Sequence, residues 1–110
     1  MPFDAGDIIL VPFPFTDRPI QKHRPTVVLS LRSFNEKHKH IVLAMVTSAK
    51  NAPWTSDITI SNQKITGLPS PSVIRLKIFT LDERLVLSKL GELSKSDKAA
   101  LKKRMDQVLG

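Results

Sequence analysis

Ile41-Val42-Leu43-Ala44-Met45-Val46-Thr47, in the middle of the chain, is apolar at six consecutive positions and rich in β-branched side chains. A strand with that composition has no face to offer water, so it belongs inside a sheet as a central strand. Shorter runs of the same character surround it. Ile8-Ile9-Leu10-Val11 follows Gly6-Asp7 and continues into Pro12-Phe13-Pro14-Phe15, where two prolines at alternate positions demand an edge, a bulge or a strand exit. Thr26 to Leu31 reads as a second strand. Asp57-Ile58-Thr59-Ile60 alternates as a half-buried strand does. Ser72 to Leu76 is another, with Phe79-Thr80-Leu81 extending it after an irregularity, and Leu85 to Leu87 with Leu90 is the last candidate.

The polar stretches Thr16 to His23 and Ser33 to His40 read as loops. Ser48 to Ser56, which contains Pro53 and Trp54, is long enough for a mobile loop, and Gly67 to Pro71 has turn chemistry. One helix is expected. Ser94-Lys95-Ser96-Asp97 forms a capping-box pattern, with Ser94 accepting from first-turn amides and Asp97 reaching back. Leu101, Met105 and Val108 then make one apolar stripe. Several short strands, Gly/Pro turns and a final helix indicate a small β-barrel, and 110 residues leave room for one domain over residues 1–110.

There is no cysteine, which removes disulfides and thiolate metal sites and fits a reducing cytoplasm. Neither a signal peptide nor an apolar stretch long enough to span a bilayer is expected. The net charge of +7 favours an anionic partner. Residues 16–39 carry six Lys/Arg against two acids and residues 50–77 four against one, so the excess lies in the first-half loops and the middle. Lys102-Lys103-Arg104 reads as a solvated helix face.

Candidate chemistry is sparse. No glycine-rich phosphate loop and no nucleophile–histidine–acid arrangement is present. His38 and His40 would share a strand face, but a metal needs a third ligand, and Lys37 and Lys39 between them suggest a solvated turn; no metal or cofactor is expected. Arg24, in His23-Arg24-Pro25, stands at a loop–strand junction where its planar fork can grip two phosphate oxygens, or pair with Asp17 or Asp7. Thr47-Ser48 delivers two hydroxyls to the end of the central strand, where they can donate to phosphate or cap the turn. Arg75 interrupts an apolar strand and must reach solvent or a partner. Phe13, Phe15 and Trp54 can stack on bases, though Trp54 could equally cover the core.

Taken in order, Gly6-Asp7-Ile8, Arg24-Pro25 with Val27-Val28-Leu29, Leu43 to Ser48, Ser72 to Leu76 and Thr80-Leu81-Asp82 resemble the signature blocks of the MazF/PemK toxin family across nearly the whole chain. The resemblance implies an SH3-like barrel with a C-terminal helix, of the type shared by CcdB, MazF and PemK. It also implies a homodimer and metal-independent, sequence-specific cleavage of single-stranded RNA by 2′-hydroxyl attack, leaving 2′,3′-cyclic phosphate and 5′-hydroxyl ends. The partner it implies is an antitoxin whose acidic, disordered C-terminal segment fills the RNA groove. Carried over by motif, Arg24 and Thr47 are catalytic, with Ser48 beside them, and Arg75 falls where some members have a functional arginine. His23, next to Arg24 and of suitable intrinsic pKa, is a candidate general base, because an arginine is a poor one. Arg18, Lys22, Arg75 and Lys77 would contribute to the phosphate-binding surface. One departure stands out: the Arg75-to-Thr80 spacing is a residue shorter than in many members, and the acid that follows the arginine there is missing, Lys77 following Leu76. A bulge or an altered register would reshape the groove. Two rival readings stand beside it: a CcdB-like toxin that traps DNA gyrase, against which the Arg24-Pro25 and Thr47-Ser48 blocks favour cleavage, and a basic nucleic-acid-binding module without catalysis, which the missing acid allows.

Overall fold

A computed structural model describes residues 3–13 and 22–110. Its centre is a six-stranded antiparallel sheet, curled into a half-barrel, with strand order β4-β5-β3-β2-β1-β6. The strands are β1 (Asp7–Phe13), β2 (Lys22–Val28), β3 (His40–Ser48), β4 (Ile58–Thr59), β5 (Ser72–Asp82) and β6 (Ser88–Glu92). Two helices complete it, α1 (Arg32–His38) and α2 (Lys95–Leu109). No described helix is long and apolar enough to cross a membrane.

As its composition requires, β3 is central, paired to β2 on one edge and β5 on the other. Its alternating side chains feed two separate cores. Ala44 and Val46 join Ile8, Val27, Ile74 and Leu101 under α2, whereas Ile41 and Leu43 join Ile9, Val11, Val28 and Leu81 on the other side of the sheet. Leu101 brings the helix stripe into the first core and is almost fully buried, worth about 1.5–3 kcal/mol for a side chain of that size.

Pro12 falls where it removes no ladder bond, and Pro14 lies outside the described residues. The Leu10 carbonyl accepts from Leu87 N, so alternate residues of β1 face β6 with their backbone groups. Pro12 faces the same way, and the β1–β6 ladder stops at Leu10. The strand ends differ from those expected in an informative way. β2 begins at Lys22, placing Arg24 inside a strand, not at its junction with a loop. The anticipated irregularity in β5 is a bulge: Ala44 pairs with Ile78 and Met45 with Arg75, so Leu76 and Lys77 have no partners on β3.

The segment read as the loop Ser33 to His40 is mostly helix α1. Seven residues with a single apolar side chain, Phe34, cannot display an apolar period. The helix is held by one buried side chain, Asn35, whose amide donates to the Phe3 and Ser30 carbonyls while its oxygen accepts from Ser30 Oγ. The strand anticipated at Leu85 starts only at Ser88. Asp82 caps a 3₁₀ turn over Glu83–Leu85 by accepting from Arg84 N, which leaves Leu85 and Leu87 exposed. His38 lies in α1 and His40 opens β3, so they share no strand face.

At α2, Ser94 caps as expected, accepting from Asp97 N at 3.2 Å. The Asp97 carboxylate is engaged elsewhere than at the Ser94 amide. Its buried carboxylate accepts from Ser61 N, Ser61 Oγ and Asn62 N, tying the helix to the segment after β4. Burial pushes the Asp97 carboxyl up, but those hydrogen bonds together outweigh it and hold it below the ordinary carboxylate range. Asp97→Asn turns an amide toward three donors and should cost about 1–3 kcal/mol. Because the folded carboxyl ionises below its unfolded value of about 3.9, this contribution is complete above about pH 4 and is lost as the pH falls through the lower folded value. Thermal melts should therefore show the largest gap between wild type and Asp97→Asn near neutrality, narrowing on acidification below about pH 4.

Candidate functional site

The β2–β3 ladder runs over only three pairs, ending at Thr26 opposite Met45. The cause is Pro25. Val28 accepts from Gly6 N on the β1 side, whereas Leu29 donates to Val42 on β3. Alternation therefore points the Pro25 nitrogen at β3, where it has no hydrogen to give. β1 keeps its hold on β2 as far as Lys22, so the strand continues while the gap to β3 opens. Two residues beyond the last pair on each strand stand Arg24 and Thr47.

Both line a hollow of about 280 Å³, together with Phe13, Met45, Arg75 and Lys77. Register explains this convergence. Arg24 shares a face of β2 with Thr26 and Val28, Thr47 shares a face of β3 with Leu43 and Met45, and Arg75 sits directly opposite Met45. This is the face of the second core, extended past its apolar end. Arg24 is exposed, its guanidinium carbon lies 6.0 Å from the Phe13 ring centroid, and it makes no ion pair among the described residues. A second hollow of about 170 Å³ shares the Arg24–Thr47 wall and is bounded by Pro25, Ser48, Ser70 and Ser72.

Arg75 is held very differently. It donates from Nε to Asp57 Oδ1 (3.1 Å) and from Nη2 to Asp57 Oδ2 (2.9 Å) and the Ala52 carbonyl (2.8 Å). Its guanidinium carbon lies 4.9 Å from the Trp54 ring centroid, and Lys77 Nζ lies 5.5 Å from the same ring. Asp57 also accepts from Trp54 N at 2.9 Å. The bidentate pair is nearly buried, with side-chain exposures of 11% and 8%. The Arg75 guanidinium holds the Asp57 carboxyl below its usual range against the opposing effect of burial, with help from the Trp54 amide. Arg75 is raised in turn by Asp57.

Of the residues singled out in the sequence, Arg24, Thr47, Arg75 and Lys77 therefore meet at one hollow. Ser48, pointing the other way from Thr47, lines the adjacent one. Lys22 shares the Arg24 face of β2 but lines neither hollow, and His23 projects from the opposite side of the sheet, the side of Val27. The structure does not bring His23 to Arg24's hollow. Arg18, Asp17 and Phe15 lie outside the described residues. Asp7, the other acid considered for Arg24, pairs with Lys89 instead. Trp54 is 43% exposed and covers Arg75, not the core. Among the described residues no group of three His, Asp or Glu is placed to hold a metal.

Two site residues were missed in the sequence. Asp57 had a signal, being the only acid between residues 50 and 77 while Arg75 needed a partner. Asn51 had none, because only the turn after β3 brings it back over Thr47.

The family model that matches the chain describes a PemK-like, MazF-like toxin of type II toxin–antitoxin systems and spans residues 4–109. No curated protein sequence matches. Among solved structures, MazF (Form-I) from Deinococcus radiodurans aligns with a TM-score of 0.78 and 23% identity, over 100% of this chain and 98% of that one. A MazE–MazF complex (Form-II) from the same organism gives 0.77 and 22%, over 100% and 97%. An endoribonuclease in complex with its cognate antitoxin from a mycobacterial species gives 0.78 and 14%, over 98% and 93%. At these identities the likeness establishes the fold.

The Arg75–Asp57 pair fixes the 52–57 segment and with it Trp54, the only tryptophan. Asp57→Asn should shift Trp54 emission to the red and speed amide exchange at Trp54 and Asp57, whose mutual backbone bond depends on the same anchor. In the wild type the lowered Asp57 pKa keeps the pair ionised above about pH 4. Trp54 emission should stay flat from about pH 5 to 8 and change only as the pH falls below about 4.

Proposed function

Since this chain belongs to the PemK-like, MazF-like toxin family of type II toxin–antitoxin systems, we propose that it is a sequence-specific endoribonuclease that cuts single-stranded RNA without a metal. The observation that carries this reading is the meeting of the Arg24 guanidinium and the Thr47 hydroxyl, from separate strands, at one open hollow that Lys77 makes more cationic.

In the proposed reaction the 2′-oxygen of a ribose forms a bond to the adjacent phosphorus and the bond from phosphorus to the 5′-oxygen breaks. The products are a 2′,3′-cyclic phosphate and a 5′-hydroxyl. The 2′-hydroxyl proton leaves to solvent and the departing oxygen takes one up. Such a reaction gains most from holding the two oxygens in line and from compensating charge on the phosphoryl oxygens. Arg24 supplies two parallel donors and Thr47 a third. With His23 on the far side of the sheet, it has no part in this step. Phe13, at the hollow's wall, offers a face on which a base can stack. The acidic, disordered segment of a cognate antitoxin would occupy the same cationic hollow, and the working form would be a cytoplasmic homodimer.

The test is digestion of single-stranded RNA in EDTA, with end mapping. Wild type should yield 5′-hydroxyl ends at a recurring short motif. Arg24→Ala and Thr47→Val should each lower kcat by about 100- to 1,000-fold, the usual cost of removing one such donor. RNA binding should weaken steeply with salt, with a slope of about −0.7 in log K against log salt for each phosphate contacted. Intact RNA together with gyrase inhibition would identify a gyrase-trapping toxin instead, and tight salt-sensitive binding without cutting would identify a non-catalytic module.

A further inference from the structure

Thr47 has the chemistry of a donor to phosphate only if its single proton is not already engaged. A threonine at a strand end usually donates to a nearby carbonyl, which would spend that proton on the turn. Here Thr47 Oγ1 instead accepts, from the side-chain amide of Asn51. The intervening residues form a tight turn in which Asn51 N donates to the Ser48 carbonyl (3.1 Å) and Lys50 N to Ser48 Oγ (3.2 Å). Ala49 N is tied to the Pro71 carbonyl beside β5 (3.0 Å). The turn is thus anchored without Thr47, and it folds Asn51 back over the threonine. Asn51 lines both hollows, on the wall they share with Arg24 and Thr47.

Building on the ribonuclease reading above, we propose that Asn51 is a positioning residue for Thr47. Its amide N–H occupies one lone pair of the hydroxyl and fixes the rotor, so that the Thr47 proton is presented to a phosphoryl oxygen in the hollow. Hydrogen-bond polarity is the essential point. An amide can donate to Thr47, whereas a carboxylate can only accept from it. Asn51→Asp preserves size and turn preference but reverses the bond and draws the proton away from the substrate.

The experiment measures kcat and KM on one RNA oligonucleotide that contains the mapped wild-type cleavage site, for the intact chain and its variants. Asn51→Ala should lower kcat by about 10- to 100-fold, the range for a misdirected catalytic group, with KM and melting temperature near wild type. Asn51→Asp should melt like wild type yet have a lower kcat than Asn51→Ala. In a Thr47→Val background Asn51→Ala should not lower kcat further, because it acts through a hydroxyl that is gone. Equal losses in both backgrounds would overturn the assignment. So would wild-type kcat in Asn51→Ala while Arg24→Ala is inactive, a result that leaves the ribonuclease reading standing. If wild type and Arg24→Ala leave the RNA equally intact, that reading fails, and the role of Asn51 falls with it.

Discussion

A missing hydrogen organises the site. Pro25 turns its nitrogen toward β3 and has nothing to donate, so the ladder between β2 and β3 ends after Thr26 while both strands run on. On its other edge β2 stays paired to β1 along its full described length except Val28, whose carbonyl accepts from Gly6 instead. Arg24 is therefore fixed in direction by one neighbour and separated from the other by a gap. Thr47 stands across that gap because the register set by Thr26 and Met45 carries it there. A fully paired strand would close the hollow with backbone; a loop at this point would leave the arginine without a fixed direction.

The alternation of β3 does the rest. One set of its side chains is sealed under α2 with the first core. The other set begins in the second core at Ile41 and Leu43 and ends at Met45 and Thr47 in the hollow. Core and site are thus two ends of one sheet face, and the packing that stabilises the fold also sets the spacing of the polar groups. The β5 bulge belongs to the same logic. It lets Arg75 stay opposite Met45 while Ile78 and Phe79 regain pairing with Ala44 and Leu43, and it leaves Lys77 at the hollow.

What could be read from the sequence follows from how each feature is encoded. β3 was legible because burial on both faces leaves an uninterrupted apolar run, and α2 because a serine cap precedes a helical stripe. The β5 irregularity was legible as the break in pattern between residues 72–76 and residues 79–81. α1 was hidden, since a single buried asparagine holds it, and so was the late start of β6, which an aspartate-capped turn decides. At the site, Arg24 and Thr47 could be singled out but their facing could not be shown from spacing, because it depends on where a ladder stops. His23 shows the converse: adjacency in sequence places neighbours on a strand on opposite sides of the sheet. Asp57 and Asn51 act through turns, and no period marks a turn partner.

The charge of the hollow also divides by role. Arg75 is a cation already paired: its fork is filled by Asp57 and a carbonyl, and Trp54 lies against it. Opening that pair for a ligand would leave a nearly buried carboxylate uncompensated, which costs more than a surface contact returns. Its part is to hold the 52–57 segment and present the Trp54 ring, not to grip. Arg32 and Arg84 are likewise paired, to Asp4 and Asp82. Arg24 and Lys77 carry no ion pair among the described residues, and both face the hollow. Among the described residues, then, two cations without an ion pair share a recess floored by apolar side chains. In such a recess the local dielectric is lower than in water and each cation counts for more. The missing acid after Arg75 sharpens the contrast, because Lys77 occupies the bulge and, among the described residues, no carboxylate lines the hollow.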